Sequence, residues 1–336
     1  MNAPITVIIP VYNSEATIEE CINSVLHQSI MPQQIIVVDD GSTDNSLDKI
    51  NKFDNSSLIK IFSQKNQGVS CARNLGLRHV NTKYVTFIDS DDQVKKDYLL
   101  SLLKGYEDHS VDLVISGISQ IKISGDKKLI TNSTYPTGVF ASNKVLDMLF
   151  YNDGQKGYLW NKLWRVDIIR KYNLKLPKDI SMAEDLLFTV NYLKHTKKVY
   201  INNDLNYMYM IRGESLSSQI NLANFDFRFL KTNLDFIEVC QRIIANLSNY
   251  DRDGILIRDA TAFLGRTTSN FLRQLRLYNK DGNIDIQRKM KNICIECQNS
   301  ILRSKTMSMK NKAGYYLTIY FPKLMLFLDK KRFSNK

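Results

Sequence analysis

The sequence is poor in the residues that mark specialised protein classes. Glycine (14) and proline (6) are too scarce in 336 residues for a collagen-like or low-complexity chain. Five cysteines over that length exclude a disulfide scaffold and fit a reducing compartment. No run of 18 apolar residues occurs, so a spanning helix is not expected. Met1–Tyr12 lacks a basic leader and reaches Pro10 too soon for a signal peptide. Without a secretion signal, the sequons at Asn55, Asn132 and Asn246 carry no meaning. There is no Gly-x-x-x-x-Gly-Lys, Gly-x-Gly-x-x-Gly, His-Glu-x-x-His or Gly-x-Ser-x-Gly. His27, His79, His109 and His195 are scattered. Cys294-x-x-Cys297 has no second pair, so its spacing reads as one face of a helix rather than zinc.

Hydrophobic residues (43%) and charged residues (24%) sit near the globular average, which excludes wholesale disorder. The length suits one large core plus an appendage. The net charge of +12 is unevenly placed. Residues 220–336 carry 21 Lys+Arg against 10 Asp+Glu, and residues 1–219 carry 25 against 24. A neutral body is followed by a basic region that suits nucleic acid, an anionic membrane or plain solvent.

The pattern along residues 1–219 alternates. Ile5–Pro10, Ile35–Val38, Leu58–Phe62, Tyr84–Ile88 and Leu113–Ser116 read as buried strands. Helical spacing lies between them: a helix capped by Ser14, then Asp44–Phe53, Val69–Val80 and Lys95–Glu107. Val145–Tyr151, Leu159–Tyr172 and Met182–Lys194 also read as helices, Val199–Ile201 and Tyr207–Ile211 as strands. The fold class is α/β, a mainly parallel sheet flanked by helices. Residues 220–336 form a second, mostly α-helical region with helices over Phe225–Leu247, Ile255–Tyr278 and Ile284–Leu302. Its segment Ala313–Leu328 is apolar and aromatic, interrupted by Pro322 and Lys323 and flanked by lysines. Two readings stand side by side for it: a membrane-interface segment, or a helix docked on the core.

Ligands of open α/β sheets bind beyond the carboxyl ends of the strands. Two acidic clusters stand there, Asp39–Asp40 and Asp89-Ser90-Asp91-Asp92. Carboxylates this close repel, and a hard divalent cation relieves them; Mg²⁺ takes one or two and completes its shell with water and phosphate oxygens. Glu184–Asp185 opens an apolar helix, where favourable charge at the N-terminus is reason enough for the pair. Arg212 and Ser215 suit a diphosphate or an ordinary polar loop. Trp160 and Lys162 fall on a presumed helix.

In order, these pieces resemble the family 2 glycosyltransferases, inverting enzymes with the GT-A nucleotide-sugar-binding fold. The matching residues are Pro10-Val11-Tyr12-Asn13, Val38 to Asp44, Asn66-Gln67-Gly68, Ala72-Arg73-Asn74, Phe87 to Asp92, Trp160 to Leu163, Glu184-Asp185, and Arg212 with Ser215. The resemblance covers residues 4–218. It implies that Pro10, Tyr12, Asn13, Asp39, Gly68, Arg73 and Asp89 bind the nucleotide, and that Asp91 with Asp92 holds Mg²⁺ or Mn²⁺. It implies Asp185 as general base with Glu184 in support, Trp160 and Lys162 bordering the donor sugar or acceptor, and Arg212 and Ser215 on the diphosphate. The Gln-x-x-Arg-Trp sequence of the processive members is absent. The resemblance thus implies transfer of one hexose or N-acetylhexosamine, from a UDP sugar first of all, to a glycan that is lipid-linked, in surface-polysaccharide synthesis. It further implies a cytoplasmic protein, peripheral at the inner membrane surface, with a homo-oligomer left open. A non-catalytic nucleotide-sugar-binding or scaffold protein is the alternative. Nucleic acid is not expected as a partner, because the charge of residues 220–336 is spread thinly over long helices.

Overall fold

The computed structural model describes residues 2–107, 110–124, 127–151, 157–211, 227–278, 283–305 and 307–333. The chain forms two compact units, Met1–Val145 with Lys156–Gln219, and Leu146–Gln155 with Ile220–Lys336.

The first unit opens with alternating strands and helices: β1 (Ala3–Val11), α1 (Ile18–Leu26), β2 (Pro32–Asp39), α2 (Ser46–Asn51), β3 (Ile59–Ser63), α3 (Val69–Arg78) and β4 (Tyr84–Phe87). Then come β5 (Gln93–Val94), α4 (Tyr98–Glu107), β6 (Leu113–Ile115), the hairpin strands β7 (Ile118–Ser124) and β8 (Lys127–Ser133), β9 (Gly138–Ala141) and α5 (Ser142–Met148). The unit continues with β10 (Lys162–Arg165), α6 (Val166–Lys171), α7 (Glu184–Leu193), β11 (Lys198–Ile201) and β12 (Tyr207–Ile211). The main sheet has the order β3-β2-β1-β4-β10-β6-β11-β9, and a smaller one the order β5-β12-β7-β8. β1, β2, β3 and β4 are parallel neighbours, as near-continuous Val/Ile runs predict for strands covered on both faces. β10 then runs antiparallel between β4 and β6, so the sheet is mixed.

Strand β10 corrects the expectation of one helix over Leu159–Tyr172. Leu159, Trp160, Leu163 and Trp164 are all buried, and a short apolar run buried on both faces does not tell helix from strand by spacing. Ser14 does not cap α1 either. Thr17 precedes the helix, and Ser14 shares its hydroxyl hydrogen bond with Ser90 at 2.7 Å.

Register places the acidic clusters. Val11 pairs with Asp39 across β1 and β2, and Ile8 with Phe87 across β1 and β4. The Asp40 N–H donates to the Val11 carbonyl at 2.8 Å and the Ile88 N–H to the Ile8 carbonyl at 3.0 Å. The ladder therefore carries both clusters to one edge.

In the second unit the long helices are α8 (Phe227–Leu247), α9 (Ile255–Tyr278), α10 (Ile284–Arg303), α11 (Met309–Tyr320) and α12 (Pro322–Phe333). Phe229, Ile237, Cys240, Phe271, Leu275 and Met290 anchor one apolar cluster, and Ala262, Cys294, Ile301 and Tyr315 a second. Cys294 and Cys297 are buried thiols on α10. A Cβ on Gly265 of α9 would lie 2.7 Å from the Cys297 Cβ, so glycine permits the close approach of α9 and α10.

Candidate active site

The first wall is built where β1 and β2 end. Pro10 is buried on β1, and Tyr12 projects beyond it with 48% of its surface exposed. Asn13 takes a left-handed backbone (φ 48°), which asparagine tolerates better than most residues. Its Oδ1 accepts from the Thr43 N–H at 2.8 Å, and its own N–H donates to Ser42 Oγ at 3.0 Å. Asp39 is buried and its Oδ1 accepts from the Ser42 N–H at 3.2 Å. Asp40 has a different task. Its Oδ1 accepts from Gln64 Nε2 (2.7 Å) and the Gln67 N–H (2.9 Å), its Oδ2 from the Gly68 N–H (2.8 Å). Gly41 (φ +71°) makes this turn possible, because a Cβ there would lie 2.7 Å from the Asn66 nitrogen. Gly68 gives its N–H to Asp40 and opens α3 at φ +89°, which makes it a turn residue rather than a donor to a ligand.

The second wall centres on Arg73. Helix α3 buries it to 6% exposure. Nη2 donates to Asp89 Oδ1 at 2.7 Å and Nη1 to Glu184 Oε1 at 2.8 Å, while the buried Nε has no hydrogen-bond partner among the described residues. Burial works against the guanidinium charge, but Asp89 and Glu184 outweigh it and hold the pKa above its ordinary value. Next to it, Asn74 exchanges hydrogen bonds with the backbone of Leu176 at 2.9 and 3.0 Å, tying α3 to the segment that leads to α7.

Helix α7 begins under strain. Ala183, immediately before it, sits at φ 64°, ψ 23°. A left-handed alanine costs about 1–2 kcal/mol, and such residues cluster at functional sites. The turn presents Glu184 and Asp185 together at the helix N-terminus, where the macrodipole favours negative charge. Burial, then the Asp185 charge, push Glu184 upward in pKa against Arg73. Burial also raises Asp185, against Arg73, the Leu186 N–H and Lys162. Both carboxylates stay half-buried.

The cluster after β4 divides its work. Asp89 binds Arg73, and its N–H donates to the Tyr207 hydroxyl at 3.3 Å. Asp92 is 1% exposed. Its Oδ2 accepts from the Tyr207 hydroxyl at 2.7 Å and its Oδ1 from the Met210 N–H at 2.8 Å. Burial, then the charges of Asp89 and Asp91, raise its pKa. Asp92, expected on the metal, instead straps the loop to β12 with both oxygens. Asp91 is half-buried in the same turn. Among the described residues no group of three or more His, Cys, Asp or Glu side chains is arranged to hold a metal ion. The donor set still fits a cation brought in with a diphosphate. Asp89 and Asp91 raise the pKa of Asp92, which marks excess negative charge, and Mg²⁺ needs only one or two protein carboxylates.

Trp160 and Lys162 lie behind the wall rather than on it. Trp160 is 5% exposed and stacked between Tyr158 (4.6 Å) and Tyr207 (4.2 Å). Lys162 is fully buried. Its Nζ donates to the Tyr158 carbonyl (2.5 Å) and to Asn161 Oδ1 (2.8 Å). Burial pushes its pKa down to about 7, against the pull of Asp185. Gly157 lets this segment lie on α7, because a Cβ there would run into the Leu186 Cα, and Thr189 Oγ1 donates to the Gly157 carbonyl at 2.7 Å. Trp160 and Lys162, expected to border the donor sugar or acceptor, are buried in this structure. Arg212 and Ser215 lie outside the described residues. Tyr207, read only as part of the strand β12, meets the Asp89–Asp92 turn through its hydroxyl, a contact that no sequence spacing reports.

Residues 6–167 match the family described as Glycosyl transferase family 2. The chain is 35% identical over 230 residues to the cholesterol galactosyltransferase of Borreliella burgdorferi, across 66% of this chain and 63% of that one. It is 25% identical over 252 residues to the poly(ribitol-phosphate) beta-N-acetylglucosaminyltransferase TarS of Staphylococcus aureus, across 73% of this chain and 41% of TarS. The crystal structure of TarS 1–349 with UDP-GlcNAc matches 90% of this chain and 82% of that one, with a TM-score of 0.65 at 21% identity. The mannosyltransferase PcManGT of Pyrobaculum calidifontis, in complex with GDP-Man and Mn²⁺, matches 96% and 88% with a TM-score of 0.54 at 16% identity. The two structures show the fold. The chain spans 31% to 63% of the length of three curated relatives it matches, the galactosyltransferase among them.

Proposed function

We propose, from the match of residues 6–167 to the family described as Glycosyl transferase family 2, that this chain is a glycosyltransferase that moves one hexose or N-acetylhexosamine from a nucleotide sugar to a sugar hydroxyl of a glycan, inverting the anomeric carbon. One observation carries the reading: Arg73 joins Asp89, at the nucleotide edge of the sheet, to Glu184, beside Asp185. A single guanidinium thus spans from the donor side to the base side.

The chemistry follows from those positions. Asp39, Asn13 and Tyr12 line the place of the base, and Asp89 that of the ribose. Glu184 is held by Arg73, which leaves Asp185 to accept the proton of the attacking hydroxyl. As the hydroxyl oxygen bonds to the anomeric carbon, its proton passes to Asp185. The bond from that carbon to the diphosphate oxygen breaks on the opposite face, and the nucleoside diphosphate leaves with the electron pair. A positioned base of this kind contributes about 10²–10⁴ in rate. Asp91 would hold a Mg²⁺ or Mn²⁺ ion, which when bound neutralises charge growing on the leaving diphosphate. The Mn²⁺ of PcManGT and the UDP-GlcNAc of TarS support a divalent cation and a UDP sugar here. The poly(ribitol-phosphate) in the name of TarS supports a polymeric acceptor, and we take the acceptor of this chain to be a lipid-linked glycan of surface-polysaccharide synthesis at the cytoplasmic face of the membrane.

The test is a donor screen. Hydrolysis and transfer are measured with Mg²⁺ or Mn²⁺ across UDP, GDP, CMP and dTDP sugars. Turnover of one donor class, lost on chelation, is the expected result. Failure of every donor to bind or react would favour a scaffold that keeps the fold without catalysis.

A further inference from the structure

The segment for which membrane and core were equal readings divides at Phe321. Helix α11 is docked: Tyr315 and Ile319 are buried in an apolar cluster, and the Tyr315 hydroxyl donates to the Cys294 carbonyl. Helix α12 is different, because it is apolar on both sides. Inward, Met325 is buried and Asp329 is clamped by Arg273. Outward, Leu324 (48%), Phe327 (63%) and Leu328 (40%) are exposed, following Tyr320 (52%) and Phe321 (61%) at the elbow. The spacing 324, 327, 328, 331 keeps these positions on one stripe of α12, with Tyr320 and Phe321 preceding it at the elbow. Exposed large apolar residues scattered singly need no explanation, but five clustered on one helix and its elbow do.

The charges around the stripe indicate what covers it. Lys323, Lys330 and Lys331 are exposed on α12. The one acid between Tyr320 and Lys331 is Asp329, turned inward on Arg273. A second copy docked through a two-fold axis would bring like charges together, since such an interface sets a patch against itself. An anionic surface would instead meet lysines flanking an apolar strip. Tyr316 and Tyr320 stack 6.3 Å apart, and the Tyr320 hydroxyl donates to Gln298 Oε1 at 2.8 Å. The Tyr320 ring is thereby fixed at the elbow, and tyrosine is at home at headgroup depth. Among the described residues no helix is long and apolar enough to cross a membrane, so the mode is interfacial.

We propose that the outward face of α12 and the elbow before it, Tyr320 to Lys331, seats this protein on an anionic lipid bilayer, with Phe321, Leu324, Phe327 and Leu328 entering the interface and Lys323 and Lys331 meeting the lipid phosphates. This goes beyond the catalytic reading and does not depend on it.

Full-length protein is floated with vesicles of phosphatidylcholine, with and without phosphatidylglycerol, at low and high salt. Wild type should float with the anionic vesicles, and less at high salt. Leu324→Ser/Phe327→Ser/Leu328→Ser should abolish flotation with an unchanged melting temperature, since all three side chains face outward. Lys323→Gln/Lys331→Gln, which leaves the apolar strip intact, should weaken binding roughly fivefold per lysine. Light scattering runs in parallel. Equal flotation of wild type and both variants overturns the proposal. So does a dimer that the serine variant dissolves while wild type ignores vesicles, which would assign the face to a second copy of the chain.

Discussion

The two units bury charge in opposite ways. In the helical unit each buried acid shown with an ion pair has one arginine: Asp259 with Arg258 at 2.9 Å, and Asp329 with Arg273. In the first unit Arg73 serves Asp89 and Glu184 at once, with Asp185 and Asp91 close by and Lys162 sealed behind them. A one-to-one pair closes on itself and does structural work. A set with more acids than bases is left open to a proton, a cation or a substrate, which is how sites with displaced pKa values arise. The helical unit has the larger positive charge, yet the open set lies in the nearly neutral unit.

The strongest way to break this comparison is to neutralise one carboxylate of the open set. Asp185→Asn should lower turnover by about 10²–10⁴ while nucleotide affinity, measured by calorimetry, stays near wild type. Glu184→Gln should be milder in chemistry, because Glu184 is held by Arg73. A crippled Glu184→Gln beside an active Asp185→Asn would reverse the two roles.

Arginines come next. Arg73→Met removes a buried guanidinium and leaves two half-buried carboxylates without their partner; it should cost up to about 3–5 kcal/mol of stability, the penalty of breaking a buried pair, together with donor binding. Arg273→Met breaks a single pair in the other unit. It should destabilise as well, but what remains folded should bind nucleotide as wild type does. Denaturant melts and nucleotide titrations on both variants decide this. Equal loss of nucleotide affinity in the two would erase the distinction between open and closed sets.

A steric change probes the helical unit alone. Gly265→Ala drives a methyl against Cys297 at the α9–α10 crossing, and overpacking of this kind costs about 1–3 kcal/mol. Thermal melting should show that loss without change in nucleotide affinity. Burial raises the pKa of the Cys294 and Cys297 thiols to about 12, so in wild type neither should react with a thiol reagent before unfolding.

What was legible in the sequence followed from strong local patterns. The β1–β4 alternation, the helices Phe227–Leu247, Ile255–Tyr278 and Ile284–Arg303, and the acidic clusters at strand ends all follow from periodicity plus the rule that ligands sit at carboxyl ends of strands. β10 was not legible, because Trp164 is paired on both sides with strands far along the chain, Val85 of β4 and Leu113 of β6. The division of labour between Asp39 and Asp40, or Asp91 and Asp92, was hidden for the same reason. Which acid is consumed depends on Gly68 in one case and on Tyr207 and Met210 in the other, and no spacing reports those. The two-sided character of α12 was half visible: its apolar content was evident, and the direction of Asp329 was not.

The smallest expected effect falls on Lys162, which tests whether the open set reaches behind the wall. Lys162 is fully buried, and its charge acts on Asp185. With the lysine charge gone, Asp185 loses one of the groups that hold its pKa down. Lys162→Met should therefore move the acid limb of the kcat profile to higher pH and lower turnover on that limb by about tenfold per unit moved, with KM for the donor unchanged. Stability carries a second signature. A lysine at about 7 in the folded chain and near 10.5 unfolded is protonated only in the unfolded state between those values. The unfolded chain binds more protons there, so wild-type stability should gain from this group as pH rises from about 7 toward 10.5. The methionine variant should lack that gain. An acid limb that stays in place would confine Lys162 to packing, and the open set would end at Asp185.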